Sequence, residues 1–177
     1  MGWEEQANDD RKVPEVHDGS WNPIMEGLPF DVVLLLTNAF GYCAEVTDDH
    51  RVVGEVARVL TPGGRLVLDL IDRDAALRHV RAASWHEATA DTVVCWQREL
   101  GHERIRVREV VLSKTTGLVR DRTYAERLYT PEGLRTLLVD VGFGDVVIQR
   151  GALISTPDAE QDYGLATTRM LVTATKR

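Results

Sequence analysis

Cysteine and long apolar runs are both scarce in this sequence, and each scarcity excludes a class of protein. No apolar run approaches the roughly 20 residues that a membrane-spanning helix needs. The two cysteines, Cys43 and Cys95, lack metal-ligand spacing and lie in apolar surroundings, which favours two free, buried thiols over a disulfide. The first residues, MGWEEQANDDRK, contain no apolar segment of the kind that a signal peptide requires. The sequence therefore predicts a soluble, cytoplasmic protein.

Basic residues are also fewer than acidic ones. The chain has 21 lysines and arginines against 28 aspartates and glutamates, for a formal net charge of -7. This balance argues against nucleic acid or an anionic membrane as a partner. The arginines between Arg98 and Arg127 are interleaved with glutamates, which favours a solvent-facing strand surface over a phosphate-binding track. The sequence contains no metal-ligand cluster, Ser-His-Asp arrangement or phosphate loop, so hydrolase and nucleotide-triphosphate functions receive little support.

The stretch from residue 30 to residue 72 has the pattern of a strand, a helix and a second strand. Val32–Leu36 is a short apolar run, typical of a strand buried on both faces. Thr47 is expected to cap the helix, and Pro62-Gly63-Gly64 is expected to end it before the apolar strand Arg65–Ile71. This order predicts two adjacent parallel strands joined by a right-handed crossover. The residues expected on the buried helix face are Val52, Val53, Val56, Val59 and Leu60.

The letters FDVVLLLTNAFGY, followed by a helix that ends in VARVLTPGGRLVLDL, resemble the middle of a Rossmann-like, class I S-adenosylmethionine-dependent methyltransferase. The resemblance extends from about His17 to the C-terminus. It implies S-adenosylmethionine as cofactor and methyl transfer to an oxygen or nitrogen of a small-molecule acceptor. The implied mechanism is in-line transfer from the sulfonium, in which positioning and desolvation do most of the work.

Between residues 83 and 129 the apolar residues alternate with polar ones, which is the period of a strand. Thr92–Arg98, Arg104–Leu112 and Asp121–Tyr129 are predicted to form three antiparallel strands with one polar face. The resemblance implies that this sheet is a lid over the acceptor pocket. The aromatic candidates for the pocket walls, each of which could instead pack the lid on the core, are Trp85, Trp96, Tyr124 and Tyr129.

Residues 130–177 are predicted to form a helix and two strands. Thr130 is expected to cap the helix, and Gly142 is expected to end it. Gly144–Gln149 and Arg169–Ala174 are the last two strands, and the resemblance implies that they form an antiparallel hairpin.

The predicted fold class is therefore α/β: an incomplete Rossmann-like methyltransferase sheet with a final antiparallel hairpin, plus a three-stranded antiparallel lid. We expect one methyltransferase-like domain over residues 1–177. Its expected parts are an N-terminal segment (1–29), a parallel crossover core (30–82), the lid insertion (83–129) and a C-terminal helix with the hairpin (130–177).

The resemblance implies site residues at the carboxyl ends of the parallel strands, where open α/β folds bind their ligands. Thr37 and Asn38 would approach the methionine part of the cofactor. Asp18, followed by Gly19, is the candidate for binding the adenine amino group, although an Asx turn explains Asp18 equally well. The candidates for contacts with the acceptor are Tyr42, Arg73, Trp85, Tyr124 and Arg127.

A second helix is predicted directly after the strand that ends at Ile71. Asp74 is expected to cap it over Ala75–Ala82, with Leu77 and Val80 turned inward. Asp72 and Arg73 are expected to face the mouth of the acceptor pocket. The catalytic residues stay unknown; a base is needed only for a poorly ionised acceptor, and His86 and His102 in the lid region are the candidates for it.

The sequence lacks two features with which this family grips its cofactor: the glycine-rich turn after the first strand and the acidic residue after the second. In the family's strand order both strands are central, so without them the strand from Phe30 would present a bare apolar edge. Three explanations stay open. The chain is a truncated methyltransferase with impaired activity, one half of an enzyme that a partner chain completes, or a noncatalytic relative that dimerises or pairs through this edge.

Overall fold

The computed structural model describes residues 29–151 and 168–177. In this part of the chain the helices are α1 (Val46–Val59), α2 (Arg73–His79) and α3 (Pro131–Asp140). The strands are β1 (Phe30–Leu35), β2 (Leu60–Ile71), β3 (Ala83–Glu87), β4 (Thr92–Leu100), β5 (Arg104–Ser113), β6 (Gly117–Arg127), β7 (Phe143–Arg150) and β8 (Arg169–Lys176). Asp18, Gly19 and the segment that links β7 to β8 lie outside the described residues.

The first sheet, which we call the core sheet, has the strand order β1-β2-β8-β7. β1 and β2 are parallel and adjacent, with Val33 opposite Leu66 and Leu35 opposite Leu68. The parallel pairing predicted for these two strands is therefore confirmed. β8 lies between β2 and β7 and is antiparallel to both, so the sheet is mixed.

One face of the core sheet is buried beneath α1 and α3. The alternating residues of each strand point to this face, as the period of a strand requires. The buried cluster includes Val53, Val56, Leu66, Leu68, Leu70, Leu134, Leu137, Leu138, Phe143, Met170, Val172 and Ala174. α3 begins as predicted, because the Thr130 side chain accepts a hydrogen bond from Gly133 N at 3.0 Å, and Gly142 follows it with φ +103°.

The prediction that β1 is buried on both faces is wrong. Val33 and Leu35 pack against the core, but Val32 and Leu34 are 48% and 56% exposed. The reason is that, within residues 29–151 and 168–177, helices cover only one face of the sheet and β1 pairs only with β2. The bare apolar edge expected for this strand is therefore present in the described residues.

The predicted boundaries of α1 also need correction. The helix begins at Val46 after Glu45, so Thr47 lies inside it and does not cap it. It starts two residues earlier than predicted, directly after a loop whose Cys43 and Ala44 carbonyls accept from the guanidinium of Arg104. Val52 is exposed, because the valines of α1 extend around more of the helix than the side that packs on the sheet. Pro62-Gly63-Gly64 lies within β2.

The helix α2 is capped by Asp72, and not by Asp74 as predicted. The Oδ1 of Asp72 accepts hydrogen bonds from Asp74 N (3.0 Å) and Ala75 N (3.4 Å), so the helix starts immediately after β2. Ala76 is buried and Val80, just past the helix, packs partly buried on the same cluster, whereas Leu77, predicted to face inward, is 51% exposed.

The second sheet, which we call the insertion sheet, is antiparallel with the order β3-β4-β5-β6. It has four strands where three were predicted, because Ala83–Glu87 pairs with β4. Ile105 and Val107 are buried while Arg106 and Arg108 are exposed, as the alternation predicted. The inner face packs on α2 through a small cluster formed by Ile71, Ala76, Ile105, Val107 and Leu128.

Candidate functional site

The chain turns sharply where β1 ends, at the carboxyl edge of the core sheet. Thr37 and Asn38 have φ of +56° and +62°, a left-handed conformation that asparagine tolerates and that is unfavourable for a β-branched residue such as threonine. Asp69 of β2 supports the turn: its carbonyl accepts from Asn38 N at 2.9 Å, and its Oδ2 accepts from Thr37 N at 3.3 Å. Thr37 is exposed at this edge and Asn38 is buried. We call the pair the donor-edge turn.

Asp69 is itself held by Arg169 at the start of β8. The guanidinium binds both carboxylate oxygens, with Nε to Oδ1 at 2.7 Å and Nη2 to Oδ2 at 2.6 Å. Such a bidentate pair fixes orientation as well as distance. The turn therefore depends on β1, β2 and β8 together.

The Asn38 side chain is directed at protein atoms. Its Oδ1 accepts from Ile71 N at 2.9 Å, and its Nδ2 donates to Oε2 of Glu126 in a short hydrogen bond. Both ends of the amide are thus engaged, so Asn38 shapes the turn and leaves Thr37 as the exposed residue of the pair.

Glu126, at the end of β6, is a residue of this site that sequence reasoning missed. It is 3% exposed, and burial raises the pKa of its carboxyl, while contacts with Tyr42 and Asn38 and the charges of Arg169 and Arg98 act in the opposite direction. The sequence pattern could have indicated Glu126, because the alternation of β6 places it on the buried face, where a carboxylate requires a partner.

Two predicted acceptor contacts, Tyr42 and Tyr124, lie beside Glu126. Their ring centroids are 5.9 Å apart. Tyr42 is 48% exposed, and its partial burial, together with the neighbouring Glu126 charge, raises the pKa of its hydroxyl. With its hydroxyl directed at the Glu126 carboxylate, Tyr42 leaves part of its ring exposed for contact with a ligand.

Arg127 has a different setting from the one predicted for an acceptor contact. Its guanidinium binds Oδ2 of Asp49, which is fully buried in α1, and donates to the Ala44 carbonyl at 3.0 Å. The Tyr129 hydroxyl donates to the same Asp49 oxygen at 2.6 Å. Arg127 N donates to the Gly41 carbonyl at 2.6 Å. This group anchors the end of β6 to the core.

Arg73 binds across the junction between the two sheets, whereas the Asp72 side chain pairs with Arg150 of the core sheet. Arg73 Nε donates to the His102 carbonyl at 2.7 Å. Asp72 is 1% exposed, and Arg150 Nε donates to its Oδ2 at 2.5 Å, so it does not line an open pocket mouth. Trp85 stands apart from the site, 66% exposed, because its register opposite Cys95 places it on the outer face of the insertion sheet.

The residues that the structure describes contain no cluster of metal-ligating side chains. No helix in residues 29–151 or 168–177 has the length and apolar character needed to cross a membrane. Cys43 and Cys95 are free, as predicted, and each is half-buried.

The sequence matches no family model and no curated protein. Solved structures match its fold. A S-adenosylmethionine-dependent methyltransferase from Clostridium acetobutylicum matches with a TM-score of 0.63 at 12% identity, over 85% of this chain and 59% of that one. The CcbJ methyltransferase from Streptomyces caelestis matches with a TM-score of 0.62 at 16% identity, over 86% and 59%. An amino pentose methyltransferase from Micromonospora echinaspora, solved with S-adenosylmethionine bound, matches with 0.59 at 20% identity, over 85% and 60%.

The chain thus spans about three fifths of the length of the structures it matches. At these identities the likeness concerns the fold. The α/β fold of this chain is that of the class I S-adenosylmethionine-dependent methyltransferases, as the resemblance in the sequence predicted.

Proposed function

We propose that this chain takes part in methyl transfer from S-adenosylmethionine to an oxygen or nitrogen of a small molecule. The observation that carries the proposal is the donor-edge turn, which lies at the carboxyl edge of a methyltransferase-like sheet with Thr37 exposed. In open α/β sheets this is the edge at which ligands bind.

We infer that the described residues supply contacts to one end of the cofactor. Thr37 would contact the methionine part, and Asn38 would hold the turn in the conformation that exposes it. Asp18 and Gly19 are the candidates for the adenine and lie outside the described residues. When bound, S-adenosylmethionine supplies an electrophilic methyl group.

The chain's own residues would position the acceptor and exclude water. Tyr42 and Tyr124 are the acceptor contacts that the geometry favours, because their rings are adjacent and lie next to the donor-edge turn. Residues 83–129 would act as a lid over this edge, and Arg73 and Arg127 would hold the lid in place. Excluding water strengthens the polar interactions that orient the acceptor.

A calorimetric titration of the full chain with S-adenosylmethionine and with S-adenosylhomocysteine tests the proposal. We expect saturable binding, and we expect Asn38→Ala to weaken it about tenfold or more, which corresponds to about 1.4 kcal/mol. Thr115→Ala, in the exposed turn between β5 and β6, is the control and should leave affinity unchanged. A folded wild-type chain that binds neither compound would overturn the proposal.

A second candidate function is noncatalytic association through β1, with a second copy of the chain or with a partner chain. The observation that favours it is the apolar face of Val32, Leu34 and Leu36, which are 48%, 56% and 43% exposed beside a strand that has one neighbour in the described residues. Exposed apolar strand edges promote pairing.

Light scattering over a range of protein concentrations tests this candidate. Association through β1 predicts a mass above that of the monomer, which Leu34→Glu should reduce. Leu118→Glu, at a similarly exposed position of the insertion sheet, should not reduce it. A monomer at every concentration would exclude a homodimer, and a monomer that also binds S-adenosylhomocysteine would favour the first proposal.

A further inference from the structure

Two glutamates of the insertion sheet are buried, and they differ in what they bind. Glu109 is 8% exposed and Glu126 is 3% exposed. Glu109 accepts hydrogen bonds from its own sheet, from Trp96, Arg120 and Arg122. Glu126 instead accepts from Asn38, in the turn at the edge of the core sheet. Glu126 therefore connects the insertion sheet to the donor-edge turn.

The Asn38 amide can adopt one orientation in this setting. Ile71 N–H requires an acceptor, which is Oδ1, and the Glu126 carboxylate requires a donor, which is Nδ2. An amide flipped by 180° would direct its NH2 at the Ile71 N–H and its oxygen at the carboxylate, and both contacts would be repulsive. Glu126 and the Ile71 N–H together select the orientation of a side chain in the left-handed turn.

We propose that Glu126 is a positioning residue, which fixes the donor-edge turn from the insertion sheet through the Asn38 amide and thereby sets the chain's affinity for the cofactor. This inference rests on the proposed function and adds a dependence of the cofactor edge on the insertion sheet. Glu126 need not touch the ligand, since its carboxylate is enclosed and Thr37 is the exposed residue of the turn.

Two conservative variants separate the effect of the Glu126 side-chain length from the effect of its charge. Glu126→Gln loses the charge but keeps an oxygen at the same distance along the side chain, so it can still accept from Asn38. Glu126→Asp keeps the charge but withdraws the oxygens by one methylene. If Glu126 positions Asn38, affinity for S-adenosylhomocysteine should stay within about threefold in Glu126→Gln and fall about tenfold or more in Glu126→Asp.

The matched controls are Glu109→Gln and Glu109→Asp, because Glu109 is a buried glutamate of the neighbouring strand that does not contact the turn. Both should bind S-adenosylhomocysteine as the wild type does. Circular dichroism of each variant checks that the fold is retained. Equal affinity of Glu126→Asp and the wild type would overturn the inference and leave the proposed function standing. Equal weakening in the Glu109 and Glu126 variants would also overturn it.

A second readout needs no cofactor. The side-chain NH2 of Asn38 gives a pair of resonances in a proton–nitrogen correlation spectrum, which the variant Asn38→Asp removes and so assigns. These resonances should shift in Glu126→Asp and stay near their wild-type positions in both Glu109 variants. If the wild type does not bind S-adenosylhomocysteine, the proposed function fails and this shift alone decides whether Glu126 positions the turn. Unshifted resonances in Glu126→Asp would refute it.

Discussion

The core sheet and the insertion sheet are held in place by different interactions. The core sheet is held by fully buried leucines such as Leu66 and Leu68, which pack beneath two helices. The insertion sheet has only a small apolar cluster against the core. Across the junction, its contacts are largely polar: Glu126 with Asn38, Arg127 with Asp49, and the His102 carbonyl with Arg73.

This difference suggests a division of labour. Apolar packing tolerates small shifts and substitutions of similar volume, whereas hydrogen bonds between charged groups require defined distances and angles. The core sheet thus supplies stability, and the polar contacts fix the insertion sheet against Asn38, Asp49 and Arg73. Three pairs of variants, and one variant compared with the wild type, can break or sharpen this comparison.

The largest effect is expected where the junction is most buried. Arg127→Leu removes the cation from Asp49, which is 0% exposed, and leaves a buried carboxylate without the charge that Arg127 supplied. Breaking a buried pair in this way costs about 3–5 kcal/mol. Urea denaturation followed by circular dichroism should show this loss in the free energy of unfolding.

The control is Arg108→Leu, which removes an arginine of the same sheet from the exposed pair with Asp121. Exposed pairs contribute about 0–1 kcal/mol, so this variant should remain close to the wild type. Equal losses in the two variants would contradict the claim that burial makes the junction pair important.

The next prediction tests the apolar packing of the core sheet. Leu68→Ala empties a site that is 0% exposed and should cost about 2–5 kcal/mol. Leu34→Ala, in β1 on the uncovered face, is 56% exposed and should change stability by about 0.5 kcal/mol or less. Thermal unfolding of both variants measures the difference. A large loss in Leu34→Ala would mean that this face is covered in solution.

Glycine substitutions probe the backbone contact between the two sheets. Gly41 and Gly63 both have positive φ, +96° and +78°. A Cβ added at Gly41 would lie 2.6 Å from the Arg127 carbonyl oxygen, whereas a Cβ added at Gly63 would have no atom within 4 Å. Gly63→Ala should cost about 1–2 kcal/mol for its left-handed conformation alone. Gly41→Ala should cost about 1–3 kcal/mol more, because the end of β6 must move. Equal unfolding free energies of the two variants would contradict the close approach.

The sequence predicted those parts of the fold that are encoded within single elements. The apolar runs of β1 and β2 and the helix between them predicted the parallel pair, and Thr130 and Gly142 predicted both ends of α3. These signals lie in neighbouring residues, so they can be read without knowing the rest of the molecule.

Contacts between distant elements could not be predicted in the same way. Asp69 and Arg169 are 100 positions apart, and Asn38 and Glu126 are 88 apart, so no local pattern joins either pair. Asp72 and Asp74 both had suitable chemistry for the cap of α2, and only the position where β2 ends selects Asp72. Trp85 was a candidate on residue type alone, and the register of β3 decided its side of the sheet.

The smallest expected effect on stability is that of the Glu126 charge, and this effect changes with pH. Burial raises the pKa of this carboxyl above the ordinary value of 4.5, so the folded state binds its proton more readily than the unfolded state does. The stability that this group contributes is then present below 4.5 and is lost as pH rises through the folded-state pKa. Glu126→Gln mimics the protonated side chain at every pH. The wild type should therefore lose stability relative to this variant as pH rises.

Other carboxylates act in the opposite direction, and the comparison with the variant removes them. The hydrogen bond from Arg108 lowers the pKa of Asp121, so its contribution is lost as pH falls, but it is the same in both proteins and cancels in the difference. Urea denaturation of the wild type and Glu126→Gln from acid to neutral pH measures that difference. A difference that is constant, or that grows in favour of the wild type with rising pH, would mean that Glu126 ionises without penalty. The residues around Glu126 would then accommodate an ionised carboxylate, and the length of the Glu126 side chain alone would explain its role.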